Sequence, residues 1–365
     1  MKIVIASILK PADDVRAFEK MAMTLTAEGH DVYLIGMPST TQVTPQKVHF
    51  IELVPFPRLS WRRMLAPFRV MKKVREVKPE LLIVNTHELL IVGFLNRILF
   101  GTHIIYDVQE NYYRNILWTR SFPAWLRPPI AWWVRLKERL LTPFFHRIIL
   151  AEKCYATEMS FLVPKSVVIE NKAVLPATFS RRPDVGKLLL AFTGTLGEST
   201  GVFEAIELAD RMYERRADIE LQIVGFCALP AMLAEIKNRC SGKRYIKLVA
   251  GRMQVGHERI MDLIAKANFG IISYPPSPHT AGRIPTKLFE YLSATLPILL
   301  SENPTWQSVA EPLSAAIMVD FKNPTLEKIL SDMSGRTFYT GPVDDFLWAS
   351  EKQKLIDLVN FFRPI

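Results

Sequence analysis

Cysteine is scarce in this chain: three occur in 365 residues. Cys154, Cys227 and Cys240 are too few and too widely spaced for a metal knuckle or a disulfide framework, so they read as small buried apolar residues in a reducing compartment. Low-complexity tracts and short-period repeats are also missing, which excludes collagen-like and disordered classes. A content of 49% hydrophobic and 22% charged residues suits a globular chain of about two domains. No long apolar run is present either. The most lipid-like window, residues 81–100, contains His87, Glu88, Asn96 and Arg97, which a spanning helix would bury at considerable cost, so no transmembrane segment is expected. The start of the chain breaks at Pro11 and at Asp13 and Asp14, and fits a first strand better than a signal peptide.

Three ligand signatures are absent. The loop after the first predicted strand has no GxGxxG, which disfavours a nicotinamide or flavin enzyme, and no Gly-Lys-Ser/Thr closes the glycine-rich loop at residues 193–201. Nor does the sequence contain Asp-x-Asp, the usual carboxylate pair for a divalent metal on a diphosphate. What the chain has in excess is positive charge. A net charge of +10 and a pI near 9.4 imply attraction to nucleic acid, an acidic lipid surface or a phosphorylated substrate, without choosing among them.

Lys2–Ser7 reads as a buried strand, 15–28 as an amphipathic helix ended by Gly29, and Asp31–Gly36 as the next strand, a β-α-β start that implies a parallel sheet. Further strands are expected at 48–53, 81–85, 102–106, 148–151 and 166–171. His87 with Glu88, and Asp107 with Glu110, sit just past the carboxyl ends of two of them, where a doubly wound domain keeps its chemistry. The polar stretch 181–186 marks a domain boundary. Beyond it the pattern restarts, with a strand at 187–192, the glycine-rich loop, an amphipathic helix over 202–215, and strands at 219–224, 246–249, 269–274, 298–300 and 317–320. A last amphipathic helix, containing Trp348, is expected over 345–362.

Two segments of the first half are both basic and aromatic, 55–78 and 117–147. Trp61, Arg62 and Arg63 in the first, and Trp125, Arg127, Trp132, Trp133 and Arg135 in the second, with Arg120, Lys137 and Arg139, suit a face that meets anionic headgroups. Helices with buried Trp and solvated Arg would have the same composition.

The most informative stretch is 282–297, GRIPTKLFEYLSATLP. Pro285 suits a helix entry, and Leu288, Phe289 and Leu292 share one face while Lys287 and Glu290 share the other. Two readings stand: an i,i+3 ion pair on a solvated face, or a grip on a nucleotide with phosphate at the helix mouth and ribose one turn deeper.

Taken together, Pro285-Thr-Lys-Leu-Phe-Glu-Tyr-Leu292 with Leu296-Pro-Ile298, and more weakly Asp14-Val-Arg16, Tyr106-Asp-Val-Gln-Glu110 and Phe192-Thr-Gly-Thr195, resemble the family-4 retaining glycosyltransferases, of the type that builds bacterial surface polysaccharide or lipopolysaccharide. The resemblance covers nearly the whole chain. It implies an α/β GT-B fold: two Rossmann-like domains facing across a cleft, residues 1–180 on the acceptor side and 187–343 on the nucleotide-sugar side, with 344–365 returning to the first domain. It implies Lys287 on the donor diphosphate, Glu290 on the ribose, Gly194, Thr195, Gly225 and Arg283 lining the donor, and His87 near the reacting carbon. Asp14, Arg16, Glu88, Asp107 and Glu110 are acceptor-side candidates. The sequence departs from the family at Gly282, where a second glutamate is common, at Thr195 and Thr200, where cations are common, and at Gln109, which replaces a histidine.

The expected function is transfer of a sugar from a nucleoside diphosphate sugar (UDP-sugar or GDP-mannose) to a lipid-linked or glycan hydroxyl with retention. No metal or other cofactor is expected, nor any nucleic-acid partner. The expected location is cytoplasmic, peripheral to the inner face of the plasma membrane. A nucleotide-sugar 2-epimerase of the same fold, or a non-catalytic basic protein binding membrane or nucleic acid, are the alternatives.

Overall fold

The computed structural model describes residues 1–39, 45–56, 60–118, 122–253, 255–278 and 280–363; Arg120 lies outside them. The described chain divides into two units, residues 1–171 with 351–365, and residues 172–350.

In unit 1, β1 (Lys2–Pro11), β2 (Asp31–Met37), β3 (Val48–Glu52), β4 (Leu81–Val84), β5 (His103–Val108), β6 (Arg147–Leu150) and β7 (Ser166–Val168) form one parallel sheet in the order β3-β2-β1-β4-β5-β6-β7. Leu81-Leu-Ile-Val84 is fully buried, the continuous apolar run that a parallel strand covered on both faces requires. The helix Trp61–Val77 buries Ala66, Val70 and Val74, at the spacing of one helical face, in the same core as Leu90 and Val92 of the helix Leu90–Phe100. The chain fills one side of β1 first and then crosses to β4 on the other. The switch point therefore lies at the carboxyl ends of β1 and β4, where open α/β sheets bind ligands.

Unit 2 repeats the plan with β8 (Leu188–Thr195), β9 (Ile219–Phe226), β10 (Ile246–Gly251), β11 (Phe269–Ile272), β12 (Ile298–Ser301) and β13 (Ala316–Val319), all parallel in the order β10-β9-β8-β11-β12-β13. Its switch point lies between β8 and β11. The glycine-rich loop follows β8, and the helix Thr286–Ser293 lies in the connection from β11 to β12.

Three expectations need correction. The passage between units comes at 171–172 and not at 181–186, because Ala173 bridges Leu347, Leu175 and Phe179 join the unit 2 core, and the Arg181 guanidinium donates to the Ala267 carbonyl at 2.7 Å. Trp348 precedes the last helix, Ala349–Asn360. It is buried in unit 2 with its backbone N–H on the Ala173 carbonyl, and the chain rejoins unit 1 from Glu351. The first helix is π-helical over Arg16–Ala22 and α-helical only over Met23–Ala27.

That irregular turn carries Arg16 into the interior, where it grips Asp107 of β5 at 2.7 and 3.0 Å and the Ile169 carbonyl at 3.1 Å, with both side chains almost fully buried. Arg16→Ala should lower the stability of unit 1 by about 3–5 kcal/mol, because it leaves the Asp107 carboxylate buried without its cation. A thermal unfolding midpoint equal to that of the wild type would contradict this.

Candidate functional site

Each unit places polar groups at its own switch point. In unit 2, β8 runs into Gly194 and Thr195, and the loop is held by Thr200, whose nearly buried hydroxyl accepts from the Gly197 N–H at 3.1 Å and faces the Thr195 carbonyl at 2.9 Å. Two glycines are needed for close approach. A Cβ on Gly225 would stand 1.9 Å from the Gly194 carbonyl oxygen, and one on Gly201, at φ +76°, would stand 1.8 Å from the Ser273 carbonyl oxygen beyond β11. Gly225 thus has a packing reason for its identity, and the loop is bolted across the switch point. Thr195 itself is exposed.

The helix Thr286–Ser293 buries more than one face. Leu288, Phe289 and Leu292 enter the core as expected, but Lys287, Tyr291 and Ser293 are buried too. Tyr291 shares a 3.0 Å hydrogen bond with Thr193 of β8, which ties the helix to the strand below it. Lys287 is 6% exposed, and its buried amine makes no hydrogen bond or ion pair among the described residues. It lies 4.1 Å from the Phe192 ring centroid and 5.1 Å from that of Tyr274, and its Cε would be 4.0 Å from a Cβ built on Gly194. Two aromatic faces offset part of the cost of burying a cation, not all of it. Burial pulls the ammonium down to about 7, against a small upward pull from Glu290.

The solvated ion pair that the sequence allowed is therefore not formed. Glu290 instead faces His257, with Oε1 3.6 Å from Nε2, both side chains 13% exposed. His257 begins the helix His257–Lys266. Its role was invisible in the sequence, where it reads as an ordinary first-turn residue. Arg283 turns its carbonyl to the Trp306 indole N–H at 2.5 Å, and its charge acts downward on the Tyr274 phenol, which burial pushes up.

In unit 1, β4 ends in Asn85-Thr86-His87-Glu88. Lys137 donates to His87 Nδ1 at 3.2 Å, and Nε2 lies 3.4 Å from Glu88 Oε2. Burial pulls the imidazole down to about 4, with Glu88 opposing and Lys137 and Arg63 assisting, so the ring is neutral with its proton on Nε2. Glu88 Oε1 is taken by Arg63, and Glu88 Oε2 has no hydrogen bond. Asn85 and Thr86 are buried, and the Asn85 amide and Thr86 hydroxyl have no partner among the described residues. Neither was singled out in the sequence, although two polar residues closing an apolar strand are a visible signal.

The other acceptor-side candidates differ in kind. Arg16 and Asp107 are the interior pair described above, so they hold the fold and offer nothing to a ligand directly. Asp14 lies 3.4 Å from Lys10, which also donates to Gln109, and Glu110 accepts from Asn115 at 2.7 Å. Of the headgroup-facing candidates, Trp61, Trp125, Trp132 and Trp133 are 66%, 75%, 64% and 58% exposed, and Arg62 is exposed. Arg127 is half-buried and donates to the Phe122 carbonyl. Arg63 and Arg135 turn inward, to Glu88 and to Glu138 with Asn111, because those carboxylates are buried and need a cation.

No three His, Cys, Asp or Glu side chains converge among the described residues, and no described helix is long and apolar enough to cross a membrane.

No protein-family model and no curated protein matches this chain. Solved structures do match over the whole length. Sucrose-phosphate synthase from Thermosynechococcus elongatus superposes with a TM-score of 0.69 at 13% identity, covering 99% of this chain and 98% of that one. HepE of Anabaena in complex with UDP and glucose gives 0.66 at 11%, covering 99% of each. UDP-GlcNAc 2-epimerase from Neisseria meningitidis bound to UDP-GlcNAc gives 0.60 at 9%, covering 99% and 100%. The two parallel-sheet units, each with its switch point, and the return of the last helix to unit 1 are those of the GT-B fold, and this chain has that fold.

Proposed function

We propose that this protein is a glycosyltransferase that moves a sugar from a nucleoside diphosphate sugar, a UDP-sugar or GDP-mannose, to a hydroxyl of a lipid-linked or polysaccharide acceptor. The transfer retains anomeric configuration and serves cell-surface glycan assembly on the cytoplasmic side. The observation that carries the reading is Lys287, a buried amine without a partner, in the first turn of a helix beside a glycine-rich loop. A diphosphate is the complement of that arrangement. Departure of a nucleoside diphosphate builds negative charge, and a fixed cation with helix N–H groups can meet it without reorganisation. Glu290, beside His257, takes the ribose hydroxyls.

Lys287 and backbone N–H groups do the work that a divalent metal does elsewhere. His87, neutral and oriented by Lys137, carries its proton on Nε2 beside Glu88 and acts as a hydrogen-bond donor more than a base. With no strong base at hand, the leaving phosphate takes the acceptor proton and positioning supplies much of the rate. The exposed tryptophans of unit 1 support an acceptor presented at a bilayer. Of the exposed large apolar side chains among the described residues, fourteen lie between residues 61 and 144 and three within 172–350, so the described apolar surface is concentrated in one unit. One of the structural neighbours is a UDP-GlcNAc 2-epimerase, which makes donor consumption without acceptor the discriminating assay.

Lys287→Ala should lower turnover at saturating donor by roughly 100-fold or more, since it removes a charge-stabilising group from the leaving phosphates; near-normal turnover would sink the assignment. Glu290→Gln should chiefly weaken nucleotide affinity, and an unchanged dissociation constant would count against the ribose role. Activity should survive EDTA. The pH dependence follows from Lys287, whose amine titrates near 7 when the site is empty and higher when a diphosphate holds it charged. Affinity for a nucleotide sugar is then full below that pH and weakens above it, by at most about tenfold per pH unit, until the bound-state value is reached. A diphosphate esterified at both ends does not itself titrate there. Calorimetry should find this slope in the wild type and none in Lys287→Met; a flat wild-type profile would refute it.

A further inference from the structure

A second cation cluster lies at the other end of the unit 1 sheet, away from His87. A cavity of about 530 Å3 is lined by Arg97, His146, Arg147, Lys165 and by Ile98 and Phe144, with Phe361 at its edge. It sits where β5 and β6 begin, at the amino-terminal edge of the strands.

Its cations are not neutralised as several others of this unit are. Arg16, Arg63, Arg114 and Arg135 each sit on a carboxylate. None of the three around this cavity does, and no acidic residue lines it. Lys165 donates to the carbonyls of Pro143 and Phe145 at 2.5 and 3.0 Å, Arg147 donates to the His146 carbonyl and stacks 4.2 Å from the Phe361 ring centroid, and the Arg97 guanidinium has no partner among the described residues. Like charges are thus held around one space without a counter-ion. His146 reports the resulting field: burial first, then Arg97, His103, Lys165 and Arg147, pull its imidazole down to about 4. Its Nδ1 accepts the Ile104 N–H at 3.1 Å, so the ring has a structural partner for its neutral form.

The rim is apolar. Ile98, Phe144 and Phe361 are 56%, 47% and 61% exposed, and Leu99 and Phe100 continue the exposed surface along the last turn of the helix Leu90–Phe100. A free phosphate would use the cations and leave these side chains in water, whereas a phosphate carrying an acyl chain uses both.

We propose that this cavity binds the phosphate head of an anionic lipid, with Arg97, Arg147 and Lys165 on the phosphate oxygens and Ile98, Phe144 and Phe361 against the adjoining methylenes. A phosphomonoester head, as in phosphatidic acid, offers the most charge for three cations. The proposal shares with the preceding section only the premise that unit 1 meets a bilayer, and it does not depend on glycosyl transfer.

Flotation with phosphatidylcholine vesicles containing either phosphatidic acid or phosphatidylserine tests it. The wild type should favour phosphatidic acid. Arg97→Gln, which removes no protein contact, should lower binding to those vesicles about fivefold, and Arg97→Gln with Arg147→Gln about 30-fold, at roughly 1 kcal/mol per charge near the surface. Trp132→Ser with Trp133→Ser should weaken binding to both vesicles and keep the preference. Equal binding by the wild type and the double Gln variant overturns the cavity and leaves the membrane-facing reading standing, whereas no vesicle binding by the wild type overturns both. Release of the protein from phosphatidic acid vesicles by inorganic phosphate or by a duplex oligonucleotide also overturns the lipid assignment.

Discussion

The unit 2 site turns on the burial of one amine. Lys287 is held among Phe192, Tyr274 and the backbone of Gly194 with no carboxylate to neutralise it, an arrangement that destabilises the empty protein and favours whatever anion can enter. Everything around it serves to keep the space shaped. Tyr291 bonds to Thr193, Gly225 lets β9 lie against Gly194, and Gly201 lets the loop close on Ser273. A side chain at either glycine would push backbone apart, and the amine would lose the walls that keep it dry.

Unit 1 solves the opposite problem. Its interior charges are paired, Arg16 with Asp107 and Arg135 with Glu138, so that the network at the end of β4 is built on neutral or neutralised groups. His87 is kept uncharged by burial, and Lys137 fixes which nitrogen carries the proton. Asn85 and Thr86 are buried there with unused polar atoms.

Much of this was legible in the sequence, for a stated reason. Apolar runs such as Leu81–Val84 and Ile298–Leu300 alternate with helices, and a parallel sheet needs strands buried on both faces, so two doubly wound units could be read directly. Lys287 and Glu290 stood out because of their place after a strand and a proline. Their environment did not. Helical spacing assigned them to one polar face, but Lys287 lies over Phe192 of β8 and Tyr274 just past β11, while Glu290 faces His257. His257 beside Glu290 and Lys137 over His87 are likewise products of tertiary packing, at separations no local pattern encodes. In the basic aromatic segments Trp61, Trp125, Trp132 and Trp133 lie exposed, whereas Arg63 and Arg135 turn inward, because composition cannot tell which arginine is needed by a buried glutamate.

The central claim is that unit 2 is built to hold a nucleoside diphosphate by way of Lys287. The direct measurement is the thermal unfolding midpoint of the whole protein with UDP, GDP, ADP and TDP and their sugars, for the wild type and for Lys287→Met. The account predicts that at least one of these ligands raises the wild-type midpoint, that inorganic phosphate at the same concentration does not, and that the shift disappears in Lys287→Met. A wild-type midpoint indifferent to every nucleotide, or an equal shift in Lys287→Met, would contradict it.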